Sequence, residues 1–134
     1  MTIEKPLPSP DPVTAPYWNA AAERRFVLPR CETCSRHHFY PRSVCPHCGS
    51  AQLAWVEASG RGQVYSYTVI HRAPSPAFAP DVPYAVALIA LEEGPHLMSH
   101  VMGCAPGEVR IGLPVQVDFR DAGDGVLLPV FRPR

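Results

Sequence analysis

The chain has 134 residues, 46% of them apolar, and carries 12 basic against 12 acidic side chains for a formal net charge of zero. That balance gives no global field to draw in nucleic acid, an acidic membrane or an acidic substrate. The apolar run at 85–91 is far short of the ~20 residues a membrane span needs, and no basic-then-apolar signal opens the chain, so a soluble cytoplasmic protein is expected.

In chain order, residues 1–14 are proline-rich and read as an extended, poorly ordered arm. A helix follows at about 15–25, where Thr14 can cap and Pro16 is tolerated in the first turn. Three turns are marginal in water, so the adjacent Tyr17 and Trp18 must dock on something. One surface is a partner protein, because large aromatics are frequent binding anchors, and the other is the chain's own ribbon or barrel. Residues 26–29 are a short extended lead into a cysteine-rich loop at 31–50, and 54–58 carries Trp55 back out. Gly60-Arg61-Gly62 punctuates the chain before strands predicted at 63–71, 84–91, 96–102, 115–120 and 127–131. A tight hairpin joins the second and third, a Pro/Ala-rich loop spans 73–83, and a connector spans 105–112. Five strands in about 70 residues, interrupted between the third and fourth, match a small Greek-key barrel of the OB type. The expected architecture is mainly β, with a helix and zinc ribbon at 15–58 and the barrel at 59–134.

Domains this small usually need a metal, a disulfide or a partner to supplement the core. Cys31-Glu32-Thr33-Cys34 and Cys45-Pro46-His47-Cys48 supply the metal ligands. Each CxxC places two thiolates on a tight turn whose N–H groups can face the sulfurs, and two such turns ten residues apart can close a tetrahedral shell around one zinc. A shell closed by four thiolates has no open position, so the metal is structural. Iron in a rubredoxin-like carrier would use the same turns, but no redox partner or flavin site is suggested. His37, His38 and His47 are unnecessary as ligands and are expected at the surface. Zinc with four thiolates carries a formal charge of minus two, which Arg24, Arg25, Arg30, Arg36 and Arg42 can offset.

No GxGxxG, GxSxG, GKS/T or HExxH motif occurs. Cys104 follows His100 by four residues, but at strand spacing that is about 13 Å, too far for a nucleophile and its base. His71 ends the first barrel strand and is expected to be a surface residue. A ribbon joined to an OB barrel is also a nucleic-acid architecture, and Tyr65 and Tyr67 share a strand face as stacking residues would. Against it, the strand offers no lysine. Residues 59–134 hold six basic groups (Arg61, Arg72, Arg110, Arg120, Arg132, Arg134) against seven acidic ones (Asp81, Glu92, Glu93, Glu108, Asp118, Asp121, Asp124). Nucleic-acid binding is the runner-up reading.

The ordered set Tyr17-Trp18, Arg30-Cys31-x-x-Cys34, Phe39-Tyr40-Pro41-Arg42-x-x-Cys45-Pro46-x-Cys48-Gly49-Ser50, Trp55, Ser59-Gly60-x-Gly62-x-Val64-Tyr65-Ser66-Tyr67-Thr68-Val69, Pro83-Tyr84 and Leu91-Glu92-Glu93-Gly94 resembles the acyl-CoA-associated Zn-ribbon/OB-fold proteins. They were long catalogued as a domain of unknown function. The resemblance covers residues 14–134. It implies a helix and rubredoxin-like ribbon before an OB domain, and an accessory subunit that bridges or completes a thiolase-like, acyltransferase-like or hydratase partner. Coenzyme A would meet this chain through arginines, with Arg42 beside Pro41 and Arg72 at the mouth of the long loop as first choices.

Overall fold

In the computed structural model, which describes residues 4–134, one short helix precedes a two-stranded sheet and a closed five-stranded barrel. The first three residues of the N-terminal arm lie outside the described ones. From Glu4 to Asp11 the arm has no regular structure, and Lys5 ties it to the barrel half through an ion pair to Asp81 at 2.7 Å.

Helix α1 spans Ala15–Ala22, shorter than expected at its C-terminal end. Arg24 sits in the left-handed region at φ 59°, Arg24 N–H donates to the Ala21 carbonyl and Arg25 N–H to the Ala20 carbonyl, both at 2.9 Å. This is a Schellman stop with arginine where glycine is usual. The N-terminal cap also differs from expectation: Thr14 makes no capping bond. Its Oγ1 accepts from Asp11 N–H, while the Asp11 carboxylate accepts from the N–H groups of Val13 and Thr14, so Asp11 turns the chain into the helix.

Strands β1 (Val27–Cys31) and β2 (Leu53–Glu57) pair antiparallel, Val27 opposite Glu57 and Cys31 opposite Leu53. The two extended pieces flanking the cysteines thus form a hairpin stem that holds the metal loop at its far end. The barrel strands are β3 (Arg61–Ile70), β4 (Tyr84–Leu91), β5 (His96–Val101), β6 (Pro114–Gly123) and β7 (Val126–Pro133). Their order around the barrel is β3-β4-β5-β7-β6, closed by β3 against β6, with a single parallel pair, Val101 opposite Phe131, where β5 meets β7. That is the Greek-key closure expected for an OB barrel. The long loop is not wholly irregular, since Pro76–Asp81 forms a 3-10 turn, and a shorter one occupies Pro106–Glu108.

Every second residue of β4 is buried, Ala85, Ala87, Ile89 and Leu91 facing inward as the two-residue period of a strand requires. They join Val64, Leu97, Val115 and Phe131 in one core that also takes in Tyr17, Phe26 and Leu28 from the helix and ribbon. The Phe26 and Phe131 rings meet edge-to-face at 6.1 Å, so ribbon and barrel are packed on the same apolar mass.

Gly60 sets the approach of the chain to the barrel. Its φ is +73°, its carbonyl accepts from Val117 N–H at 2.7 Å, and a Cβ there would collide with the Val117 side chain. Gly60→Ala is therefore expected to lose about 2 kcal/mol of stability from the combined strain and clash. Denaturant titration checks this, and a loss near zero would mean the approach relaxes freely.

Candidate metal centre and the surfaces around it

The four predicted ligands converge. The sulfurs of Cys31, Cys34, Cys45 and Cys48 all lie within 4.8 Å of one another, with Cys31 to Cys48 at 3.6 Å and Cys34 to Cys45 at 3.7 Å. Zinc–sulfur bonds of about 2.3 Å in a tetrahedron put sulfurs about 3.8 Å apart, so the set fits one zinc ion without rearrangement. Backbone N–H groups turn toward the sulfurs as the CxxC turns predict: Cys34 N–H donates to Cys31 Sγ at 3.5 Å and His47 N–H to Cys45 Sγ at 3.3 Å.

Without metal the thiols share protons unevenly. The Cys34 N–H, outweighing burial, pulls Cys31 down to about 6. Cys48 is held up at about 11, where burial and the neighbouring sulfurs outweigh the N–H bond from Ser50. Zinc uptake must displace the remaining protons, so affinity falls as the pH falls.

Of the nearby histidines, His37 is half-buried and His47 exposed, but His38 is not at the surface as expected. It is 3% exposed, and neither ring nitrogen has a hydrogen-bond partner among the described residues. The reason is the register of the loop. His38 N–H donates to the Pro29 carbonyl and His37 bridges Arg30, so this stretch runs beside β1 and alternation turns His38 inward. Burial first, then the charges of His47, Arg42 and His37, push its pKa down and so favour the neutral ring. The sequence signal was the strand-like alternation of His37 and His38 next to Phe39.

His37, His38, Arg36, Arg42, His47 and Glu93 line a cavity of about 440 Å³ between the ribbon and the β4–β5 hairpin. Arg42 is thus brought to a concave surface. Arg72 is not: it is exposed just past β3 and lines neither this cavity nor the larger groove.

That groove, about 850 Å³, runs between the arm, α1 and the barrel. Tyr17 is buried at its base, packed on the rings of Trp18 at 5.1 Å and Phe39 at 5.4 Å. Trp18 stays half-buried and lines the groove with Tyr40, Phe78 and Met98. Tyr40 and Met98 are 52% and 62% exposed and are held together by a Met98 N–H bond to the Tyr40 hydroxyl at 3.4 Å. The sequence reading missed this cluster because its members, three aromatics and a methionine, come from four separate segments.

The remaining candidates stay apart. His100 stacks on Tyr84 at 5.0 Å, while Cys104 lies beyond the end of β5, where burial and then Glu108 push its thiol pKa up, the opposite of an activated nucleophile. His71 is exposed past the end of β3. Tyr65 and Tyr67 are exposed, with Tyr65 at a bulge in β3 and its ring on His96 at 4.6 Å. Among the described residues no helix is long and apolar enough to cross a membrane.

Two family descriptions match consecutive stretches: "ChsH2, rubredoxin-like zinc ribbon domain" over residues 18–54 and "ChsH2, C-terminal OB-fold domain" over 55–120. The chain belongs to this DUF35 family of zinc-ribbon and OB-fold proteins. It is 36% identical to a DUF35 domain-containing scaffold protein of Methanocaldococcus jannaschii over 82% of each chain. It is 45% identical over 129 residues to a probable enoyl-CoA hydratase alpha subunit of Thermomonospora curvata. There it covers 96% of its own length but spans only 40% of the relative. A solved chain of the "Ltp2-ChsH2(DUF35) aldolase" superposes with a TM-score of 0.85 at 45% identity, over 95% of this chain and 98% of that one. The family's ribbon is a zinc ribbon, in agreement with the four-sulfur geometry, and its barrel is an OB fold.

Proposed function

We propose that the chain is a non-catalytic accessory subunit of a complex that acts on acyl-CoA thioesters, bridging or completing the active site of an enzyme partner. The observation that carries this reading is the near end-to-end likeness to a chain of the Ltp2-ChsH2(DUF35) aldolase, a protein whose name joins this fold to an enzyme. The hydratase alpha subunit and the scaffold proteins among its relatives support it. The partner is an enzyme of acyl-CoA chemistry: a hydratase or aldolase on the relatives' names, or the thiolase-like or acyltransferase-like enzyme expected from the sequence. In this division of labour the ribbon and barrel are a rigid frame. The partner supplies the acid, base or nucleophile, and the thioester points toward it. Reconstitution tests the reading: the partner with this chain should turn over its acyl-CoA substrate at least tenfold faster than the partner alone. Equal rates would overturn it.

The groove beside α1 is the face we assign to the partner. Aromatic and methionine side chains left partly or largely open to solvent, as the half-buried Trp18 and the exposed Tyr40 and Met98 are, are the usual anchors of a binding interface. Trp18→Ala is expected to weaken the complex at least tenfold, because an anchor aromatic is worth 2 kcal/mol or more and 1.4 kcal/mol is a factor of ten. The melting temperature of the isolated chain should move little. Intact binding together with a large loss of stability would instead place Trp18 in the fold alone.

Coenzyme A is assigned first to Arg42, which lines the cavity near the ribbon, with Arg72 a second, separate contact. The further inference below tests Arg42.

A further inference from the structure

The cavity between the ribbon and the β4–β5 hairpin is cationic in a way the fold does not use. Arg36 and Arg42 line it, and neither has a carboxylate within ion-pair distance among the described residues. The carboxylate present, Glu93, is already engaged: it accepts from Ser59 N–H at 2.7 Å and from the Ser59 hydroxyl at 3.4 Å. Its charge is thus directed at the start of the barrel. His47, on the same wall, donates its Nε2–H to the His37 carbonyl at 3.3 Å, so that proton is already engaged within the wall.

The second observation is independent of charge. His38 belongs to the same wall, is 3% exposed, and both its ring nitrogens lack a partner among the described residues. Buried polar groups are almost always paired, and an orphan in a native fold calls for a missing partner or a function. A neutral imidazole offers one N–H and one acceptor nitrogen, both closed off from the cavity as the ring stands. A small turn of the His38 ring is what brings its N–H to an oxygen-rich anion there, while arginine forks take further oxygens in pairs. Charge compensation of the zinc-thiolate centre accounts for arginines nearby, but it gives no reason for an unpartnered neutral histidine.

We propose that this cavity is a phosphate-binding site, built by Arg36, Arg42 and His38, that takes a phosphate monoester or diphosphate group. At about 440 Å³ it lies at the low end of ligand pockets and has room for a phosphorylated fragment, not for a whole coenzyme. The phosphate site stands on the cavity itself. Its assignment to the phosphorylated end of coenzyme A rests on the acyl-CoA reading above.

The test is calorimetric titration of the full zinc-loaded chain with inorganic phosphate, pyrophosphate, coenzyme A and dephospho-coenzyme A. Pyrophosphate and coenzyme A are expected to bind and to compete. Coenzyme A binding much tighter than its dephospho form assigns the 3′-phosphate to the cavity, and equal binding assigns the diphosphate. Binding of the inorganic anions without coenzyme A upholds the site and gives it to free phosphate.

Arg42→Gln should weaken the tightest probe at least tenfold with zinc content unchanged. His38→Phe, which replaces the orphaned ring with an apolar one of similar shape, should weaken the same probe several-fold while leaving the melting temperature equal or higher. No heat from any of the four probes at millimolar concentration, or unchanged affinity in both variants, overturns the site. The reconstituted turnover assay fails or succeeds separately, so loss of this site leaves the accessory-subunit reading standing.

Discussion

Removing the metal, or replacing Cys34 or Cys48 with serine, is expected to abolish the cooperative fold of the ribbon and leave the protein insoluble or largely unfolded. Apparent zinc-binding energies of about 10–16 kcal/mol in zinc-finger peptides match or exceed the entire stability of a typical domain, about 5–15 kcal/mol. The ribbon has little to put in its place. Its sheet is a single hairpin of five residues a side, and an isolated hairpin is marginal in water. Cys31 and Cys45 are buried within it, so loss of the ion leaves their sulfurs packed against one another with no counter-charge. Near-ultraviolet circular dichroism and solubility after chelation, set beside a zinc assay of about one ion per chain, measure the effect. An unchanged melting curve after complete zinc removal would defeat the structural role.

Phe131→Ala is expected to cost about 3–5 kcal/mol, the range for deleting a large buried aromatic from a packed core. Phe131 is fully buried and stands at the one position where β5 and β7 pair, opposite Val101, with its carbonyl accepting from Met102 N–H at 2.8 Å. Its ring is also the one that meets Phe26 of the ribbon. The cavity left by truncation would open at the seam of the barrel and beneath the ribbon together. Both halves should therefore lose stability in one transition, followed in denaturant by the fluorescence of Trp18 and Trp55 for the helix and ribbon and by far-ultraviolet circular dichroism for the barrel strands. A loss under about 1 kcal/mol, or separate unfolding of barrel and ribbon, would mean the shared core does not couple them.

What the sequence made legible was whatever is local in it. The two CxxC turns fix their own geometry, and the alternation in β4 fixes its buried face. The five barrel strands fall within a few residues of their predicted places, because glycine and proline mark the turns between them. Information carried by pairing across the chain was harder to read. The extended pieces at Val27–Cys31 and Leu53–Glu57 were visible, but their joining into one hairpin depends on residues 22 or more positions apart. His38 was misread as a surface residue because composition makes histidine polar, and only the bridge between Arg30 and His37 shows which way it faces. The early stop of α1 escaped for a similar reason, since nothing about Arg24 announces a left-handed residue as a glycine would. At Tyr17 and Trp18 the sequence required burial of the aromatic pair without dividing it. The fold gives Tyr17 to the core and leaves Trp18 lining the groove with Tyr40 and Met98.

The most direct measurement of the central claim is recovery of the tagged, zinc-loaded chain from its native host after nuclease treatment, followed by native mass spectrometry of what comes with it. The account predicts a defined, stoichiometric complex with an enzyme of acyl-CoA chemistry, one that the Trp18→Ala chain fails to retain. Recovery of the chain alone, or of nucleic acid protected from the nuclease in place of an enzyme, would contradict it.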